Sequence, residues 1–465
     1  MVQIFPFRGL RYALTAGDSL SDVTAPPYDV IEPAHQARLY DRHPANVVRL
    51  ILNRKESGDT CDNNPYTRAD GFLRQWQREG ILTADTKPCL LAYSQKWTPA
   101  GYEAPVERKG MIALLRLTPP EERQVLPHER TIDKYVSDRI TLSKTTGANL
   151  SQIFMIYGDP QRFIERELFD ASAAQGADWL SATDEDGVCH RLRSVDDTET
   201  LTAIQRHFED KTLLIADGHH RYKTALTLQR EARERIKALQ GQEPAPGTLL
   251  SDYVMAFFAN MDDPGLLVFP THRALTRWPQ GWSRERLEAA LSQTFDCLPP
   301  EAFDSDPQTI LYEGQGGAPR WTLRLKSTDG LGDLPAVMRD FDAAILDKIV
   351  IEGYFQSDAP TLKADKILWF DRSEASVRDM TAQGDAVAAF YLHAPSVRHV
   401  QRICAAGELM PQKSTYFYPK ILSGLTLYSH RGFESASGCA LSGVVEGVQP
   451  LAKDFWPLEA ELARR

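Results

Sequence analysis

The sequence predicts an α/β protein, with α+β also compatible. Three observations lead there. Strand-like and helix-like stretches alternate loosely along all 465 residues. One segment, TLLIADGHHRYKTALTLQREARERIKAL, reads as strand, turn and long helix in a single unit. No repetitive βαβ count, internal repeat or low-complexity tract is present, so neither a barrel nor a Rossmann sheet is supported.

The elements follow in chain order. PFRGLRY is strand-like. TAPPYDVI follows, where Pro26 and Pro27 oppose both a helix interior and a central strand and favour a fixed, extended loop. Residues 33–43 read as a helix with Pro33 in its first turn. NVVRLIL, residues 46–52, has the pattern of a buried strand. Residues 66–80 read as a helix turning Phe72, Leu73 and Trp76 inward. CLLAYSQKW and GMIALLRL read as paired strands. A helix is expected over 131–146, ending near Gly147, and a short strand at QIFMIYGD. Residues 212–217 form the strand of the DGHHR unit and 220–239 its helix, followed by a surface linker at 241–248. SDYVMAFFAN is a strand. Beyond it lie strands at 309–312 and 321–325, and helices at 283–294, near 338–350, 374–383 and 395–406. AVAAFYLH reads as a further strand. This pattern divides the chain into a main part at 1–274, a smaller subdomain at 275–335 and a C-terminal part at 336–465 that packs back on the core.

Composition narrows the function. Hydrophobic residues are 42% and charged residues 25%, as in ordinary globular proteins. No apolar run approaches the roughly 18 residues of a membrane span. The N-terminus MVQIFPFRGLRY lacks a signal-peptide core, so a cytoplasmic protein is expected. The net charge of −10 disfavours nucleic acid, whose binding rests on many phosphate contacts from Lys and Arg. The six cysteines are far apart with no CxxC pair, which argues against disulfides and structural zinc.

DGHHR carries the sharpest chemical signal. A helix start offers unpaired N–H groups and partial positive charge, both suited to phosphate. Gly218 lets the backbone approach a ligand, Arg221 offers a planar fork, and His219 and His220 can donate or move protons. Asp217 can hold a metal or orient a hydroxyl; alternatively it caps the helix. In APPYDVI, two prolines stiffen the approach to Tyr28 and Asp29, either for catalysis or as a structural turn. PHERTIDKYVSDR gathers His128, Glu129, Thr131, Lys134, Asp138 and Arg139, although Lys134 and Asp138 also suit a helix-surface pair. Asp262 and Asp263 in MDDPGLLVFPTHR fit a cation or turn capping equally, and that segment ends in His272 and Arg273. QKSTYFYPK supplies Lys413, Ser414, Thr415 and Lys420, either for a phosphate pocket or as a loop packing its aromatics. Walker A, GxGxxG, GxSxG and HExxH patterns are absent.

Together these motifs resemble a bacterial and archaeal family catalogued as domain of unknown function 1015. The resemblance covers almost the whole chain, from PFRGLRY and APPYDVI through IADGHHRYKTAL to MPQKSTYFYPK. The DGHHR segment is also similar to the DGHTR segment of free serine kinases, members of the ParB/sulfiredoxin-like superfamily. Asp217, Gly218, His219 and Arg221 match that segment, and His220 replaces its threonine. The resemblance implies a ParB/sulfiredoxin-like core with elaborations, on which nucleotide phosphates are gripped by the strand–turn–helix. Asp29 and Glu32 match the kinase's carboxylate base only loosely.

What this implies is a phosphotransferase that moves phosphate between ATP, ADP or pyrophosphate and a small hydroxyl substrate, serine first. Asp29, His219 and His220 are its candidate catalytic residues. Gly218, His219, Arg221, Arg139 and Lys413 would bind phosphate, and Asp217 would hold Mg²⁺. Tyr28, His128, Glu129, His272, Arg273, Ser414 and Thr415 would contact the substrate. A phosphoserine phosphatase using the same pocket and a non-enzymatic nucleotide switch of ParB type stay open. The small-molecule substrate and the nucleotide are the expected partners, and the oligomeric state is left open.

Overall fold

A computed structural model of the chain describes residues 1–14, 18–131, 133–170, 178–306, 308–434 and 436–456. The chain forms two compact units: the first comprises Met1–Leu126, Thr131–Leu266 and Pro419–Arg465, the second Pro127–Arg130 and Leu267–Tyr418.

The first unit is built on a nine-stranded mixed sheet. Its strands are β1 (Ile4–Phe5), β2 (Leu90–Trp97), β3 (Val106–Arg116), β4 (Val125–Leu126), β5 (Ile153–Tyr157), β6 (Leu180–Thr183), β7 (Cys189–Val195), β8 (Leu213–Asp217) and β9 (Tyr253–Asn260). They run in the order β4-β8-β5-β9-β3-β2-β7-β6, with β1 paired to β3. Only β4–β8 and β5–β9 are parallel. The expected pair of CLLAYSQKW and GMIALLRL is therefore β2 and β3, joined antiparallel with Leu91 opposite Ile112. Every residue of β5 and β9 is buried, so both read as continuous apolar runs rather than alternations.

Helices of this unit include α1 (Pro33–Arg42), α2 (Val48–Ile51), α3 (Pro65–Arg78), α4 (Asp133–Thr146), α5 (Thr198–Phe208) and α6 (His219–Gln240). Tyr222, Ala225, Leu228, Ala232 and Ile236 are the buried stripe of α6, three or four residues apart. Tyr222 and Ala225 join Ile204 and Phe208 of α5 and Met155, Phe258 and Met111 of the sheet in one core. In α3, Leu73 and Trp76 are buried as expected, while Phe72 is half-buried. α2 overturns the expectation of a strand at 46–52. Asn46 accepts a hydrogen bond from the Val48 N–H through Oδ1, starting a turn, and Val48, Leu50 and Ile51 bury their side chains from one short helix. A short apolar run does not distinguish a buried strand from a buried helical turn. At TAPPYDVI the chain is extended at Pro27 and then closes into a 3₁₀ turn over Tyr28–Val30.

The second unit holds a six-stranded antiparallel sheet of β10 (His272–Leu275), β11 (Phe295–Leu298), β12 (Ile310–Gly314), β13 (Arg320–Leu325), β14 (Leu368–Asp371) and β15 (Ala388–Tyr391). Its order is β11-β13-β12-β15-β10-β14. Ala274, Leu311, Val377, Ala389 and Tyr391 form its core. Among the described residues no helix is long and apolar enough to cross a membrane. All six cysteines are free thiols, with Cys61 and Cys297 exposed.

Candidate functional site

β8 ends at Asp217 and α6 begins at His219, so the chain reverses on Gly218 alone. Gly218 has φ 92° and ψ 28°, a left-handed conformation that favours glycine. It is the N-cap of α6, and no side chain caps the helix. The first intrahelical bond runs from Tyr222 N–H to Gly218 C=O at 2.9 Å, and the N–H groups of a helix's first turn have no acceptor within the helix itself.

Cations surround this turn. Arg221 Nη2 lies 3.4 Å from Asp217 Oδ2, and Lys420 Nζ lies 3.6 Å from the same oxygen. Arg221 Nη1 donates to Gln152 C=O and, at 3.2 Å, to Ser151 Oγ. Arg221 is thus anchored on three protein groups. The Arg139 guanidinium stacks 3.9 Å from the Tyr28 ring centroid and donates to Ile51 C=O at 2.9 Å and to Asp138. Tyr66 OH donates to the other Asp138 oxygen at 2.7 Å. Burial pushes the Tyr28 hydroxyl up to about 12, against the pull of Arg139 and Arg221. Tyr28, Arg139, Ser151 and Arg221 line one cavity of about 40 Å³. That is water-sized, far below the roughly 300–1,000 Å³ of a ligand pocket.

Lys420 owes its place to two buried side chains. Gln95 Nε2 donates to Lys420 C=O at 2.9 Å, and Arg108 donates to Pro419 C=O and to Gln95 Oε1. Both Gln95 and Arg108 are fully buried.

Residues 4–344 match the family described as protein of unknown function, DUF1015. The chain belongs to the DUF1015 family. No curated protein matches this family member. Among solved structures it is similar to a free serine kinase in complex with AMP, at 15% identity and TM-score 0.32, over 64% of this chain and 86% of that one. A conserved hypothetical protein from Pyrococcus furiosus is similar at 13% identity and TM-score 0.32, over 64% and 90%. C-terminally truncated SbnI from Staphylococcus aureus is similar at 10% identity and TM-score 0.33, over 67% and 85%.

In this DUF1015 protein the predicted site residues divide between the two units. Tyr28, Asp29, Arg139, Asp217, Gly218, His219, His220 and Arg221 belong to the first unit. Asp29 is exposed, His219 is buried, and His220 meets the Tyr135 ring edge-on at 5.5 Å. His128, Glu129, His272, Arg273, Lys413, Ser414 and Thr415 belong to the second unit. There the PHERT and QKST motifs do come together. His128 Nε2 and Thr415 Oγ1 are 2.8 Å apart, and Lys413 N–H donates to Glu129 Oε1 at 3.2 Å. Arg273 donates to Lys413 C=O at 3.1 Å, and Ser414 Oγ to Pro411 C=O at 2.7 Å. The Lys134 side chain lies outside the described residues. Asp263 accepts from Gly265 N–H within its own turn and from Lys109 N–H of β3, and Asp262 accepts from Asp159 N–H, so these carboxylates mainly tie distant segments of the chain together. Sequence reasoning named Lys420 only together with Lys413, as the two lysines of one phosphate pocket, and it passed over Ser151, Gln95 and Arg108.

A Cβ on Gly218 would lie 3.0 Å from the Arg221 guanidinium. Gly218→Ala is expected to cost about 1–3 kcal/mol through backbone strain and to shift Arg221. Thermal denaturation of the variant checks this; an unchanged melting temperature would show that the turn tolerates a side chain.

Proposed function

We propose that the Gly218 turn binds the phosphate of a nucleotide or pyrophosphate, and that the protein is a phosphotransferase acting on a small hydroxyl substrate, serine first. One observation carries this reading: a long helix starts on a bare glycine, without a side-chain cap, beside Arg221 and Lys420. Uncapped N–H groups and fixed guanidinium and ammonium charges are what phosphate oxygens require.

In this reading the substrate hydroxyl attacks the terminal phosphorus of the donor. Its P–O bond to the leaving phosphate breaks as the new one forms, and the hydroxyl proton passes to Asp29. Tyr28, held under Arg139, positions Asp29 from the preceding residue. His219 and His220 stand at the helix start, where either can donate to a phosphate oxygen. Asp217 does not fit a resident Mg²⁺ centre: it is a single carboxylate lying between Lys420 and Arg221. Among the described residues no three metal-ligating side chains gather. No step here is routed through a metal.

The test is product analysis by phosphorus NMR, with serine supplied alongside ATP, ADP or pyrophosphate. Phosphoserine should appear with one of the three donors. Release of orthophosphate from added phosphoserine, with no transfer, would replace this reading with a phosphatase.

Arg221→Lys keeps the charge and loses the fork. Affinity for the phosphate donor should fall ten- to a hundredfold, from loss of a charged hydrogen bond of about 1.5–3 kcal/mol. Because Arg221 also bonds Gln152 and Ser151, stability should fall by about 1 kcal/mol as well. Calorimetric titration and melting of the same variant check both. Lost stability with intact affinity would remove Arg221 from the site.

A further inference from the structure

The second unit contains a cleft of about 620 Å³, within the usual size of a small-molecule site. Asp347 stands on its wall, at the start of a π-helical segment, Asp347–Tyr354, that continues the short helix Asp342–Leu346. Such segments are rare and frequently mark functional positions.

Asp347 is half-buried, and its Oδ1 is closed to water with no hydrogen-bond donor. Its internal countercharge, Arg273, is fully buried and gives both terminal nitrogens to the carbonyls of Thr271, Lys413 and Gln412, while its Nε, like Asp347 Oδ1, makes no hydrogen bond. Burial pushes the Asp347 carboxyl up to about 6, with Arg273 opposing the shift and Glu352 adding to it. The other charges on the wall are largely committed. Lys348 holds Asp333 at 2.7 Å and Glu352 at 3.2 Å, and Asp358 caps the next helix through Thr361 N–H. Arg130 and Glu408 complete the charged lining. An ionised carboxylate so placed is costly unless a cation meets it. A divalent metal would need several oxygen ligands, and among the described residues no such cluster exists.

We propose that this cleft is a second binding site, which takes a small organic cation by seating a primary ammonium on Asp347. The proposal is independent of the Gly218 turn.

Calorimetric titration of the full chain with 1,4-diaminobutane tests it, with acetate and matched potassium chloride as controls. Saturable millimolar binding is expected with the diamine and with neither control. Asp347→Asn should weaken it at least tenfold. Near pH 6 the wild-type protein should release protons on binding, because a seated ammonium favours the ionised carboxylate. That wild-type measurement stands even if the variant does not fold. Absence of saturable binding, equal affinity in the variant, or binding without proton release near pH 6 would each overturn the proposal.

Discussion

Gly110→Ala is expected to destabilise the first unit by about 3 kcal/mol, the upper end of the usual cost of overpacking. Gly110 lies in β3, opposite Tyr93 of β2 on one side and Ala259 of β9 on the other. A Cβ there would lie 2.2 Å from the Phe258 carbonyl oxygen and 2.7 Å from the Phe257 ring. A main-chain carbonyl in the middle of a ladder cannot swing aside as a flexible side chain can. The β3–β9 pair must open, and β9 is the strand that supports β5 and, through it, β8 and the Gly218 turn. Gly71→Ala is the control. Gly71 sits inside α3, and a methyl group there would meet nothing within 4 Å, so alanine should add about 0.5–1 kcal/mol of stability. Urea denaturation of the two variants should move in opposite directions. Equal or small shifts would mean that the sheet accommodates the methyl group.

Acid should destabilise both units well before most carboxylates are protonated. Burial, reinforced by Arg431, holds His430 down at about 4, from an ordinary value of 6.5. His272 is held down to about 4 by burial and by Arg273. His272 Nδ1 accepts the Leu392 N–H at 3.2 Å, which requires a neutral ring nitrogen there. Above 6.5 each ring is neutral in both folded and unfolded chains, and neither contributes a pH dependence. As the pH falls below that value the unfolded chain takes up the proton first, so stability is lost. The loss is complete near pH 4, where the folded rings also titrate. Each ring accounts for about 3 kcal/mol by linkage. Denaturation free energies measured across this window should therefore fall steeply, and His430→Gln should flatten the slope for the first unit. A profile with no loss between neutrality and pH 4 would show that both rings are hydrated in the folded protein.

Much of this architecture was legible because local pattern and tertiary environment agree. The apolar run ahead of Asp217 and the helical period after Gly218 describe a buried strand and a one-sided helix, and the structure has both. β2, β3 and β9 were equally readable, since each is apolar for long enough to exceed the ambiguity of short runs. β6 and β7 escaped, because LSAT and CHRLRSV mix exposed polar and buried apolar residues too briefly to stand out. α2 was misread because four residues are too few to carry a period of their own. In the site, Gly218 and Arg221 declared themselves by chemistry beside a turn. Lys420 did not, because it stands seven residues from Lys413 in one polar-aromatic stretch. Only the fold shows that Lys420 joins the first unit and Lys413 the second. Arg108 was invisible for a related reason: an arginine within a strand normally faces water, and its burial depends on the Pro419 and Gln95 groups that receive its N–H bonds.

The two exposed thiols have a practical use. Cys61 lies in the first unit and Cys297 in the second, while Cys89, Cys404 and Cys439 are buried. Maleimide dyes would therefore react first at one address in each unit, with Cys189 as the intermediate case to be replaced by serine. A donor–acceptor pair installed there converts the separation of the units into an optical distance. Single-molecule energy transfer with and without nucleotide, pyrophosphate or diamine would then reveal whether occupancy of either unit changes its distance from the other, in a protein that needs no engineered label sites.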